Sequence, residues 1–168
     1  MIVDAVVIGA GISGAATAYQ LARDGLKVML LDRFAPAAMA SGWTLAGVRQ
    51  SGRHPAELPL ARAAVAMWAT LSEELGGETH YYRCGNLRVA RTEAEAETIR
   101  DVVRNQAAAG LEITLLADNR AARDVAPALS ERVLLASYCR SDGSADPRAT
   151  VLAFVAAAER LGAQTRFG

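Results

Sequence analysis

The run Gly9-Ala10-Gly11-Ile12-Ser13-Gly14, with Asp32 lying 18 residues beyond Gly14, is the part of this 168-residue sequence best suited to chemistry. Gly9 permits a tight turn after a strand, Gly11 lets the backbone approach a pyrophosphate with no Cβ in the way, and Gly14 allows close packing of helix on strand. An anion in such a cradle meets free amides at a helix N-terminus, where the peptide dipoles favour negative charge. A carboxylate at the end of the next strand accepts both hydroxyls of an adenosine ribose and repels a 2′-phosphate. The spacing therefore predicts a site for an unphosphorylated ADP portion, which FAD and NAD share. Cys84 and Cys139 belong to no CxxC or Cys/His cluster, so no metal is expected. No acid, base or nucleophile constellation appears either, and the catalytic residues are left unassigned.

The elements around the motif have the required order. Residues 2–8 form an apolar, β-branched run ending in glycine, read as a buried strand. A helix is predicted over 12–23 with Gly25 closing it, then a second strand over 28–31, which together make a parallel βαβ unit. After Asp32 a loop carrying Pro36, Ser41, Gly42 and Gly47 replaces the prompt crossover helix of a simple nucleotide-binding fold. One amphipathic helix is predicted over 57–75, with Leu60, Ala64, Trp68, Leu71 and Leu75 on one face. Strands are predicted over 81–83 and 87–91 around Gly85-Asn86, over 113–116, and over 133–138. Thr92 and Glu95 form a capping box for a helix running to Gly110, and a short helix over 119–125 stops before Pro127. Asp146-Pro147 places a cap before a proline at the first helical position, starting a helix over 147–161, and a strand follows over 164–167.

Composition narrows the partners. Eighteen basic and 18 acidic residues balance, leaving no field to attract phosphate polymers or anionic lipid, so neither nucleic acid nor a membrane surface is expected. No segment approaches the roughly 18 uncharged apolar residues of a membrane span. Two unclustered cysteines suit a reducing, cytoplasmic compartment.

Beyond the nucleotide motif, four stretches carry a family likeness. GAGISGAATAYQLARDGLKVMLLDR resembles the N-terminal signature of the FAD-dependent D-amino-acid oxidase superfamily, which includes sarcosine and glycine oxidases, opine oxidase and hydroxyproline dehydrogenase. Ala40-Ser41-Gly42 with Ala46-Gly47-Val48-Arg49 is similar to that family's second cofactor stretch, Cys84-Gly85-Asn86-Leu87-Arg88-Val89 to a strand of its substrate domain, and Asp142-Gly143-Ser144-Ala145-Asp146-Pro147 to the turn before its returning helix. GRHPAELPLA, residues 52–61, looks most like the amine-dehydrogenase and opine-oxidase branch.

The resemblance implies an α/β fold: a Rossmann-like FAD-binding parallel sheet with an inserted α+β substrate domain, the C-terminal part missing. It divides the chain into 1–50 (βαβ unit and cofactor loop), 51–146 (helix and start of the substrate domain) and 147–168 (return helix and third strand). FAD is then the expected cofactor, met by residues 9–14, Asp32, Arg33, Ser41, Gly47, Val48 and Arg49, with Arg49 near the flavin. The implied reaction is oxidation of the CH–N bond of glycine, sarcosine, an opine or a related amine to an imine, the flavin taking a hydride equivalent at N5. Oxygen or a redox partner subunit would receive the electrons. An NAD-dependent dehydrogenase with an inserted domain and a non-catalytic FAD- or ADP-binding fragment are the alternatives.

Overall fold

A computed structural model describes residues 2–168. In chain order its elements are β1 (Ala5–Ile8), α1 (Ile12–Arg23), β2 (Val28–Asp32), a 3-10 turn (Ala40–Gly42), β3 (Gly47–Val48), α2 (Leu58–Met67), α3 (Leu71–Leu75), β4 (Asn86–Ala90), α4 (Glu93–Ala108), β5 (Thr114–Leu116), α5 (Asn119–Val125), β6 (Leu135–Cys139), β7 (Gly143–Ser144), α6 (Pro147–Arg160) and β8 (Gln164–Phe167). They fall into two compact units, one made of residues 2–46, 67–81 and 145–168, the other of 47–66 and 82–144.

The first unit is a parallel sheet ordered β1-β2-β8. Ala5 pairs with Val28 and Ile8 with Leu31, while Met29 pairs with Gln164 and Asp32 with Phe167, so both neighbours of β2 run parallel to it and require crossovers. The first crossover is α1. Helices α1 and α6 pack through small side chains, with Ala15, Ala18, Ala22, Ala157 and Ala158 buried beside Val28, Leu30, Val151 and Val155. Tyr19 and Phe154 close this layer edge to face, their ring centroids 5.7 Å apart. Each fully buried Leu or Val here contributes about 1.5–3 kcal/mol relative to exposure.

Only one face of β1 is covered. Val6 and Ile8 alternate outward at 52% and 85% exposure, so the fully buried strand expected from the apolar run is corrected: among the described residues, helices lie on the opposite face alone.

The cap read from Asp146-Pro147 is present, Asp146 accepting from the Ala149 amide at 2.7 Å with Pro147 in the first turn of α6. Asp146→Ala is expected to cost about 1 kcal/mol and to lower the unfolding midpoint by about 2–4 °C, while Asp146→Asn, also a good cap, retains most of it. Thermal unfolding by circular dichroism checks both.

The single helix expected over 57–75 is two. Residues 68–70 break it, Leu60 is 77% exposed and Ala64 is exposed too, whereas Leu71 and Leu75 join the core of the first unit. The chain passes from one unit to the other next to this break, so α2 and α3 answer to different cores. Gly76, left-handed at φ 54°, ends α3, and the Arg160 guanidinium donates to the Leu75 carbonyl.

The second unit is built on an antiparallel sheet ordered β4-β6-β5. Ala96 and Ile99 of α4 cover Ala90 and Leu135 on one face, and Ala122 of α5 packs with Val133, Ala136 and Val89 on the other. The Thr92/Glu95 capping box forms as expected. The strand expected over 81–83 does not. Of residues 81–83 only Tyr82 bridges, to Ser144, and β4 pairs with β6. Gly85 directs the chain into β4 at φ +80°, with the Tyr138 ring so close that a Cβ would lie 2.4 Å from it. Among the described residues no helix is long and apolar enough to cross a membrane.

Candidate cofactor site

The glycine turn forms at the end of β1. Gly9 is left-handed at φ +104°, and its amide donates to the Leu31 carbonyl at 2.7 Å, tying the turn to β2. A Cβ on Gly14 would stand 1.8 Å from the Gly9 carbonyl oxygen, so α1 leaves the turn at backbone contact. Gly11 caps α1 in extended conformation with no side chain to satisfy the first amides. Ser41 supplies one acceptor instead: its hydroxyl takes the Ile12 N–H at 3.0 Å and lies 2.9 Å from where a Gly11 Cβ would be.

Asp32 ends β2 beside this turn. Its Oδ2 accepts from the Ala10 amide at 2.7 Å and its Oδ1 from the Phe34 amide at 2.8 Å. The Ala10 N–H bond, followed by that of Phe34, holds the carboxyl below the usual carboxylate range. Asp32 thus keeps its negative charge near neutrality while being oriented toward the glycine turn.

The loop 35–42 folds over the motif. Ala37 donates its amide to the Ala10 carbonyl at 3.0 Å and is itself left-handed at φ 59°, and Gly42 approaches so closely that a Cβ would sit 2.0 Å from the Ala37 oxygen. Ala10, Gly11, Asp32, Ala37, Met39 and Ser41 line a cavity of about 160 Å³. Pockets that enclose a whole drug-sized ligand run to about 300–1,000 Å³, so this one takes only part of a dinucleotide.

Residues 9–14, Asp32 and Ser41 are therefore brought together in the first unit. Arg33 is exposed, and its guanidinium lies 4.8 Å from the Phe34 ring centroid. Gly47, Val48 and Arg49 belong to the second unit, where Gly47 pairs with Ser144 and Val48 with Gly143, and Arg49 Nη1 donates to the Ser51 carbonyl at 2.7 Å. His54 accepts the Ala56 amide at Nδ1, 3.2 Å away, as a turn-forming group. Trp68 packs on Tyr81 with centroids 5.5 Å apart. Ala37 is a lining residue that the sequence does not single out, because no local residue pattern announces its positive φ.

The family described as "DAO: FAD dependent oxidoreductase" matches residues 4–168. This chain belongs to that family.

Within the DAO family, the chain is 29% identical over 165 residues to the 4-methylaminobutanoate oxidase (formaldehyde-forming) of Paenarthrobacter nicotinovorans, covering 96% of this chain and 20% of that protein. It is 28% identical over 181 residues to a subunit of the opine oxidase of Rhizobium meliloti, covering 98% and 47%. The crystal structure of glycine oxidase from Bacillus cereus superposes with a TM-score of 0.89 at 28% identity, over 99% of this chain and 46% of that one. The chain thus spans between a fifth and a half of the length of these relatives. The parallel sheet and inserted antiparallel unit agree with the α/β architecture expected from the sequence. The residues present fit the nucleotide portion of FAD: a turn with no Cβ at positions 9, 11 and 14, a helix N-terminus facing it, and an ionised carboxylate at the end of β2.

Proposed function

We propose that this chain is the FAD-binding portion of an enzyme that oxidises the CH–N bond of an amino acid or secondary amine. The observation that carries this reading is the Asp32 carboxylate, held by the Ala10 amide inside a glycine turn that tolerates no Cβ at Gly14. Asp32 would accept the ribose hydroxyls, and the amides at the start of α1 would face the pyrophosphate. Ser41 would set the approach on the loop side. Arg33, Gly47, Val48 and Arg49 complete the proposed contacts, Arg49 as a fixed cation favouring negative charge on the cofactor. Bound FAD supplies a two-electron acceptor, and the hard chemistry is its own. The protein's part is to bind the neutral amine, orient the C–H bond beside the nitrogen and exclude competing acceptors. Glycine, an N-methylated amino acid and an opine are the substrate types suggested by the names of the relatives.

The FAD-loaded enzyme of which this chain is the FAD-binding portion, mixed without oxygen with glycine, sarcosine or an opine, is expected to lose its visible flavin band with at least one of them, the isolated portion turning over little. A band that all three leave intact, in protein that dithionite still bleaches, would contradict this substrate class.

A further inference from the structure

The most deeply buried carboxylate of the second unit has no part in the chemistry above. Asp142 has no exposed surface. Its Oδ1 accepts from the Gln50 amide at 2.8 Å and Gln50 Nε2 at 3.5 Å, and its Oδ2 from the Ser51 amide at 3.2 Å and the Ser51 hydroxyl at 2.5 Å. No ion pair among the described residues includes it. A buried carboxylate is tolerated when hydrogen bonds replace its water shell, and here four donors come from two consecutive residues, with the buried Cys139 thiol also beside the carboxylate.

What the carboxylate grips is therefore a single turn. Residues 50–53 close through the Arg53 amide on the Gln50 carbonyl at 3.3 Å, with Gly52 left-handed at φ +68°. Gln106, also buried, holds the far side, its Oε1 accepting from the Gly52 amide and its Nε2 donating to the Arg53 carbonyl, both at 3.0 Å. Ser51 is the link to chemistry. Its N–H and hydroxyl are fixed by Asp142, and its carbonyl accepts the Arg49 guanidinium at 2.7 Å.

We propose that Asp142 is a positioning residue for Arg49: it fixes Ser51, whose carbonyl sets the direction of the guanidinium. This rests on Arg49 being the cofactor-side cation of the proposed function. A carboxylate that merely supported the fold would lower stability without acting through Arg49.

The test compares wild type, Asp142→Asn, Arg49→Gln and the double variant, reading FAD affinity by flavin fluorescence, the position of the visible flavin band, and the unfolding midpoint. Asp142→Asn is expected to weaken FAD binding about ten-fold, as loss of a charge-assisted hydrogen bond does, and to move the band in the same direction as Arg49→Gln. The double variant is expected to bind FAD no worse than Arg49→Gln alone. Additive weakening in the double variant, or weakening with an unmoved band and a lowered midpoint, overturns the proposal. Arg49→Gln with wild-type affinity and band shows instead that the reading of Arg49 has failed, and the positioning role falls with it. If Asp142→Asn does not fold, Ser51→Ala carries the same comparison, with a smaller effect expected to vanish in the Arg49→Gln background and an additive one counting against the role.

Discussion

Gly14→Ala is expected to destabilise the protein by about 3 kcal/mol and to lower its unfolding midpoint by about 6–12 °C. The added methyl would meet the Gly9 carbonyl oxygen at 1.8 Å and its carbon at 3.0 Å, and a backbone carbonyl cannot swing aside as a side chain can. Relief requires α1 to move away from β1, which opens the layer of small residues it shares with α6. Gly11→Val differs in kind. Its neighbour is the Ser41 hydroxyl, which rotates, so the fold is expected to survive while the new side chain blocks approach of the pyrophosphate. Gly47→Ala is the control: nothing lies within 4 Å of its Cβ position, and the stability is expected to stay within about 0.5 kcal/mol of wild type. Calorimetry of the three variants separates packing from ligand effects.

Asp32→Ala is expected to weaken FAD binding about ten- to hundred-fold, the loss of one or two charge-assisted hydrogen bonds to the ribose. Without ligand its cost is smaller, because the carboxylate is itself only partly buried and the exposed Phe34 amide regains water, which leaves the amide of the buried Ala10 as the one that loses its acceptor. The carboxylate also gives a pH signature. Its pKa in the folded protein is depressed, chiefly by the Ala10 amide, so its contribution to stability is complete above the ordinary aspartate pKa of about 3.9 and disappears as pH falls through the lower folded value. The stability difference between wild type and Asp32→Asn is therefore expected to be flat near neutrality and to shrink in acid below about pH 4. A difference that grows in acid would mean that the carboxylate is not held by these amides.

The nucleotide half of the fold was legible because its signals are local. Gly9 and Gly25 bracket α1, Asp146-Pro147 starts α6, and the predicted bounds of α1 and β8 agree with the structure, as do those of α5 in the second unit. The same holds for the site, where Asp32 and the glycine turn meet as the spacing expects. What the sequence did not reveal is held by distant partners. β3 and β7 are two residues each and exist only because Gly47 finds Ser144, so no periodicity could announce them. The break between α2 and α3 contains no proline or glycine, and it falls beside a change of core rather than at a weak helix former. Asp142 reads as a turn residue beside Gly143, and its burial follows from Gln50 and Ser51, about ninety positions earlier. The exposure of Val6 and Ile8 likewise depends on what covers the sheet, which an apolar run does not encode.

The central claim is that the Gly9 turn and Asp32 form the nucleotide half of an FAD site. Titration of the apoprotein with FAD and, separately, NAD⁺, each followed by competition with ADP, tests it most directly. FAD is expected to bind more tightly than NAD⁺, to be displaced by ADP, and to lose affinity in Asp32→Ala. Tighter binding of NAD⁺, or FAD binding that neither ADP nor Asp32→Ala disturbs, would contradict it.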